Sequence, residues 1–155
     1  MVSKDVKEAM DSVKPEDKWM HAYTYSGHPT CCAVGLKNVE IMEREKLAER
    51  SATLGTRLHK ALHAAFDSHP NVGDIRSGKG LLAAIELVED KATKKSYGAD
   101  QKVGARIMQE MTKRGVITRA RMENIFFSPA LVITEAQLDR MVSVTQEAVK
   151  AVTGK

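Results

Sequence analysis

Residues 81–88, LLAAIELV, are apolar at every position but Glu86. A run this continuous has no polar face to turn toward water. Bounded by turn residues, it reads as a strand buried inside a sheet rather than as an amphipathic helix. The preceding GDIRSGKG carries glycines at 73, 78 and 80, so "VGDIRSGKGLLAAIELVED" reads as two short strands joined across Ser77–Gly80. A buried strand needs covering layers, and the chain supplies helices for them.

Five segments show helical character. A short helix lies within residues 1–20, before a polar loop broken by Pro15. From Thr30 to Lys46, Cys32, Gly35, Leu36, Val39 and Met42 share one face, with Pro29 suited to the first turn. Leu47–Phe66 carries a stripe of Leu47, Leu54, Leu58, Ala61, Leu62 and Ala65, and stops at Pro70 and Gly73. Ala99–Arg114 uses Val103, Ile107, Met108 and Met111 and ends at Gly115. A fifth, final helix opens with Thr134 and Gln137 as a capping box and continues on Leu138, Met141, Val142, Thr145, Val149 and Val152. "KATKKSYGAD" reads as a solvated loop, and "VITR" and "NIFFSPALVIT" as strand, turn, strand and linker. The expected fold is an α/β sandwich, helices on a small antiparallel or mixed sheet.

Gly73-x4-Gly78-Lys79-Gly80 approaches a nucleotide phosphate loop without completing it. The magnesium-binding Ser/Thr position is Gly80, and the loop leads into an apolar strand instead of a helix N-terminus. These glycines are expected to serve the turn. A better anion seat is "TYSGHPT", where Thr24, Tyr25 and Ser26 precede a helix start at Pro29. The same hydroxyls also suit plain capping by Ser26 or Thr30, the commoner use of such residues.

With 155 residues, 43% hydrophobic, the chain suits one compact domain with its own core. No run of about 18 apolar residues predicts a membrane span. The charged start "MVSKDVKEAM" lacks a signal-peptide core, so a cytoplasmic location is expected. The net charge of +4 is dispersed; the basic patches "KATKK" and "KRGVITRAR" lack interleaved aromatics, which points away from nucleic acid. Adjacent Cys31 and Cys32 make a poor disulfide and a poor metal site, and Cys32 is expected as a small buried hydrophobe. His59 and His63, four apart on a helix, lack a third ligand in a zinc pattern and read as solvated helix residues, so no metal is expected.

"HAYTYSGHPTCCAVGLKNVEIME" resembles the helix-entry segment of class III, fold-type I, pyridoxal-phosphate aminotransferases, among them ω-amino acid:pyruvate and 4-aminobutyrate transaminases. "HPNVGDIRSGKGLLAAIELVEDKATKK" resembles that family's small-domain strand pair, and "RGVITRARMENIFFSPALVIT" the segment before its last helix. The resemblance covers essentially the whole chain. It implies the end of the large domain with the phosphate-contact loop at 1–29, and an interdomain helix plus the small C-terminal domain at 30–155.

The resemblance also assigns roles. Thr24 matches the threonine that binds the coenzyme phosphate of a neighbouring subunit, and Tyr23 lines the same site. Arg119 matches the arginine that binds a substrate carboxylate, with Arg121 close enough to compete. Without the resemblance, Arg119 would read as a surface arginine. The family's Schiff-base lysine lies upstream of "TYSGHP"; neither Lys4 nor Lys79 matches it, so the chain alone is expected to be inactive and no catalytic residue is assigned. Implied partners are a second copy of the chain, as a dimer, and amine and 2-oxo acid substrates. Two alternatives share these residues: a non-enzymatic relic or partner-binding module, and part of a same-family aminomutase.

Overall fold

The computed structural model describes residues 2–155. The chain divides into two compact units, one ending at Ile41 and one running Met42–Lys155. In the first, α1 (Lys4–Asp11) starts at Ser3, whose hydroxyl accepts the Val6 N–H at 3.4 Å. A single 3-10 turn follows at Pro15–Asp17. An extended stretch and the turn at residues 24–27 then lead into α2 (Pro29–Arg44).

Neither α1 nor α2 contains a buried residue. The apolar positions Val34, Leu36 and Val39 of α2 are exposed. Cys32, expected to be buried, is exposed like Cys31. Helical spacing groups Cys32, Leu36 and Val39 on one face, with Val34 on the other side, and no layer of the unit covers either.

The second unit holds α3 (Leu47–Phe66), β1 (Val72–Lys79), β2 (Leu82–Leu87), α4 (Val103–Lys113), β3 (Arg119–Arg121), β4 (Asn124–Phe127) and α5 (Glu135–Thr153). The strands form one antiparallel sheet in the order β1-β2-β4-β3. The register aligns Ile75, Ile85, Ile125 and Ala120 across all four strands. That row faces the helices, with Ile85 and Ile125 fully buried. Against it pack Leu58, Leu62 and Phe66 from α3, Ile107 and Met111 from α4, and Leu138 and Val149 from α5, all fully buried. Burying each large aliphatic side chain of this kind contributes about 1.5–3 kcal/mol.

The α5 capping box is present, with Thr134 Oγ1 accepting the Gln137 N–H at 3.2 Å and Gln137 Oε1 accepting the Thr134 N–H at 2.9 Å. Ion pairs join the helices above the core. Arg57 of α3 meets Asp139 at 2.7 Å and Glu135 at 3.2 Å, and Arg114 reaches Glu147 at 3.3 Å. Arg114 and Lys113 hydrogen-bond Glu110 and hold its carboxyl down at about 2, below its usual 4.5. Its stabilising contribution is therefore present above the usual value and lost as pH falls through about 2.

Several sequence expectations shift. The β2 run is not buried throughout: Leu82 is exposed and Glu86 half-exposed, because the sheet face opposite the helices carries no covering layer in this unit, although Ala84 on that face is buried. β1 extends to Lys79, and the turn falls at Gly80–Leu81, with positive φ at Gly78 (+89°) and Gly80 (+58°). The helix expected from Ala99 begins at Val103; residues 99–101 form a 3-10 turn, and Lys102 is left-handed. Of "VITR", only Arg119 joins a strand. "SPALVIT" is a connector pinned by Arg50, which donates to the carbonyls of Leu131 (3.2 Å) and Ile133 (2.5 Å). His59 and His63 are half-buried rather than freely solvated, bonded at 2.8 Å to Ser77 Oγ and Asp67 Oδ1 respectively. Among the described residues no helix is long and apolar enough to cross a membrane, and no group of three or more potential metal ligands occurs.

Two backbone features generate predictions. A Cβ at Gly55 would lie 2.1 Å from the Gly80 carbonyl oxygen, so α3 seats on the β1–β2 turn only because residue 55 has no side chain. Gly55→Ala is expected to destabilise the chain by about 1–3 kcal/mol in urea unfolding, through forced separation of backbone from backbone. Met122, in the two-residue β3–β4 turn, has φ +54° and is exposed. Met122→Gly is expected to raise the unfolding free energy by about 0.5–1 kcal/mol, because relief of the left-handed strain outweighs the added chain entropy.

Candidate functional site

Side chains alternate across a strand, so locking one row into the core sends its neighbours to the opposite face. Two rows therefore lie on the uncovered face. One runs Arg76, Ala84, Phe126, Arg119, and the next runs Asp74, Glu86, Asn124, Arg121. Arg76, Ala84, Phe126, Arg119 and Arg121, together with Lys79 and Leu82, line a concavity of about 900 Å³. Its floor is apolar, with Ala84 small enough to leave space beside the Phe126 ring.

The charges on this face are unequally matched. Arg76 Nη1 binds Asp74 at 3.0 Å and Glu86 at 2.9 Å, while its Nη2 donates to Asn124 Oδ1 at 2.5 Å. Arg76 thus engages both acids of the adjacent row. Arg119 and Arg121, two residues apart on the same side of β3, have no hydrogen-bond or ion-pair partner for their guanidiniums among the described residues. An unpaired, planar guanidinium fork beside an apolar floor is suited to binding a carboxylate through two parallel hydrogen bonds. Arg76 carries no local signal of this position, because the pairing of β4 with β2 brings Asn124 to it from 48 positions away.

The other singled-out residues lie in the unit ending at Ile41. Trp19, His21 and Tyr23 form a ladder of rings along the extended stretch, Trp19 stacked on His21 and His21 edge-on to Tyr23, each at 4.9 Å. Tyr23 is 71% exposed. In the turn that follows, Ser26 Oγ accepts the Tyr23 N–H at 2.9 Å and the Ser26 N–H donates to Tyr23 O at 2.9 Å. Ser26 therefore satisfies a backbone donor upstream of it instead of capping α2. That fold-back leaves Thr24 exposed, its hydroxyl and its N–H both without a partner among the described residues. Two free donors on one residue, shortly before a helix start, fit an anionic oxygen group such as a phosphate. The turn is therefore chemically compatible with the pyridoxal-phosphate coenzyme that the sequence resemblance implies.

Comparison with known proteins identifies the family. Residues 2–149 match the family model described as Aminotransferase class-III. The chain is 38% identical over 135 residues to the diaminobutyrate–2-oxoglutarate transaminase of Halomonas elongata, covering 86% of this chain and 29% of that protein. It is 34% identical over 141 residues to the putrescine–pyruvate aminotransferase of Pseudomonas aeruginosa, covering 90% of this chain and 30% of that one. A crystal structure of an (S)-enantioselective omega-transaminase from Thermomicrobium roseum superposes with a TM-score of 0.87 at 35% identity, covering 97% of this chain and 33% of its own. The chain thus spans about a third of the length of the proteins it matches. It belongs to the class III aminotransferase family.

Proposed function

We propose that the chain is the C-terminal part of a pyridoxal-phosphate transaminase that moves an amino group from an ω-amino acid or amine to a 2-oxo acid such as pyruvate. The observation that carries this reading is the unpaired Arg119 guanidinium above the Ala84–Phe126 floor, in a chain of this family. Arg119 binds the substrate carboxylate, holding the substrate by two parallel hydrogen bonds. Thr24 binds the coenzyme phosphate of a neighbouring subunit through its hydroxyl and N–H, and Tyr23 flanks that position. When bound, the coenzyme supplies the electron sink for amino-group transfer. Orientation and charge matching are the contributions of this chain's own residues.

In this reading residues 1–29 close a large domain and residues 30–155 make the interdomain helix and small domain. The lysine that holds the coenzyme covalently is outside this chain, and the chain alone is inactive. The exposed Leu36 and Val39 of α2, on one face, favour association with a second copy, the working form being a dimer. The same exposed face keeps a second reading in play, a non-enzymatic partner-binding module built on this fold. An aminomutase would use the same residues and coenzyme.

The reading is tested on the purified chain. No amine-dependent alanine formation from pyruvate is expected, whereas the Thr24 amide resonance should move when inorganic phosphate is titrated into the millimolar range, and less so in T24V. Turnover by the chain alone would overturn the inactivity, and an unmoved Thr24 resonance would overturn the phosphate role. Light scattering at micromolar concentration is expected to give a dimer or larger species; a clean monomer would count against self-association.

A further inference from the structure

The uncovered sheet face carries more positive charge than one carboxylate requires. Arg119 and Arg121 project from the same side of β3, and at a rise of about 3.3 Å per residue their Cα atoms stand about 6.6 Å apart. Across the sheet, Arg119 sits level with Phe126 and Arg121 level with Asn124. The row containing Arg121 also contains Asp74 and Glu86, the acids that could have balanced it. Both are drawn to Arg76, which also takes the Asn124 side-chain oxygen. Arg76 thereby insulates the acids from the edge strand and leaves two adjacent guanidiniums without counter-charge.

Repulsion between like charges on neighbouring same-face positions is unfavourable unless something anionic relieves it. A single carboxylate satisfies one fork. Two carboxylates separated by a short aliphatic chain satisfy both, with the methylenes resting against Ala84 and Phe126. We infer that Arg121 is a specificity-determining residue, which with Arg119 forms a two-point clamp selecting a dicarboxylic substrate, such as a dicarboxylic 2-oxo acid, over a monocarboxylic one. The inference rests on the carboxylate role proposed for Arg119, and it replaces pyruvate, the example acceptor given above, with a dicarboxylic 2-oxo acid. The distinction has a chemical counterpart among the relatives, one named for 2-oxoglutarate, a dicarboxylate, and one for pyruvate, a monocarboxylate. A competing explanation is that charges on a short edge strand merely block edge-to-edge association.

The test titrates glutarate and propionate into the isotope-labelled chain and follows the arginine side-chain and β3 amide resonances. Glutarate is expected to bind about five- to tenfold more tightly than propionate, a second charge-assisted contact reduced by solvent exposure. R121Q should abolish that preference while leaving propionate affinity within about twofold, since its contact is with Arg119. K79Q removes another charge from the same concavity and should leave the preference standing. Equal affinities in the unaltered chain, a preference that survives R121Q, or one that K79Q removes equally well would overturn the clamp while leaving Arg119 as a carboxylate site. If neither ligand moves the Arg119 resonance, or R119Q weakens neither, the Arg119 role fails and the clamp with it.

Discussion

Ile85 sits at the centre of the four-strand sheet, level with Ile75 on one side and Ile125 on the other, and the arrangement of the larger unit follows from that row. The three isoleucines and Ala120 present one apolar line to α3, α4 and α5. Because strand side chains alternate, fixing this line on the core side fixes Arg76, Ala84, Phe126 and Arg119 on the other. A one-residue slip of β4 against β2 would carry Phe126 into the helix layer and Ile125 out of it. The core thus holds the open face in register, and Arg119 acquires its neighbours through hydrophobic packing on the opposite side of the sheet.

The charge pattern on that open face depends on one cation. Arg76 lies beside both acids and the Asn124 amide, and three contacts hold its guanidinium. Exposed ion pairs of this sort add little to stability. Their consequence here is electrostatic allocation: with Asp74 and Glu86 engaged, β3 keeps its two arginines available. On the proposed reading, the guanidinium that engages the acids and the guanidiniums that would meet a ligand are different ones on the same surface.

The unit ending at Ile41 follows another logic, in which exposure is the common property. Ser26 folds back on Tyr23, leaving the Thr24 donors unclaimed, and α2 presents apolar side chains with no cover. The residues that a family resemblance marks for coenzyme contact are therefore free to make one. Family membership is shown over residues 2–149, and the chain spans about a third of its relatives' length.

Local chemistry made much of this protein legible from residues alone. The α3 stripe, the Thr134–Gln137 box and the strand character of 82–87 each arise from interactions within a few positions along the chain. Burial was less legible: Cys32 and Leu82 lie in apolar patterns yet face solvent, because periodicity defines a face and only a second layer can cover it. Thr24 and Arg119 were singled out through motif resemblance, since a lone hydroxyl or guanidinium carries no local signal of a role. Only the tertiary structure could decide that Asn124 meets Arg76 across 48 positions, and hence that Arg76 is engaged while Arg119 and Arg121 are not. Strand order and register join residues distant along the chain, and a sequence read one segment at a time does not contain that pairing.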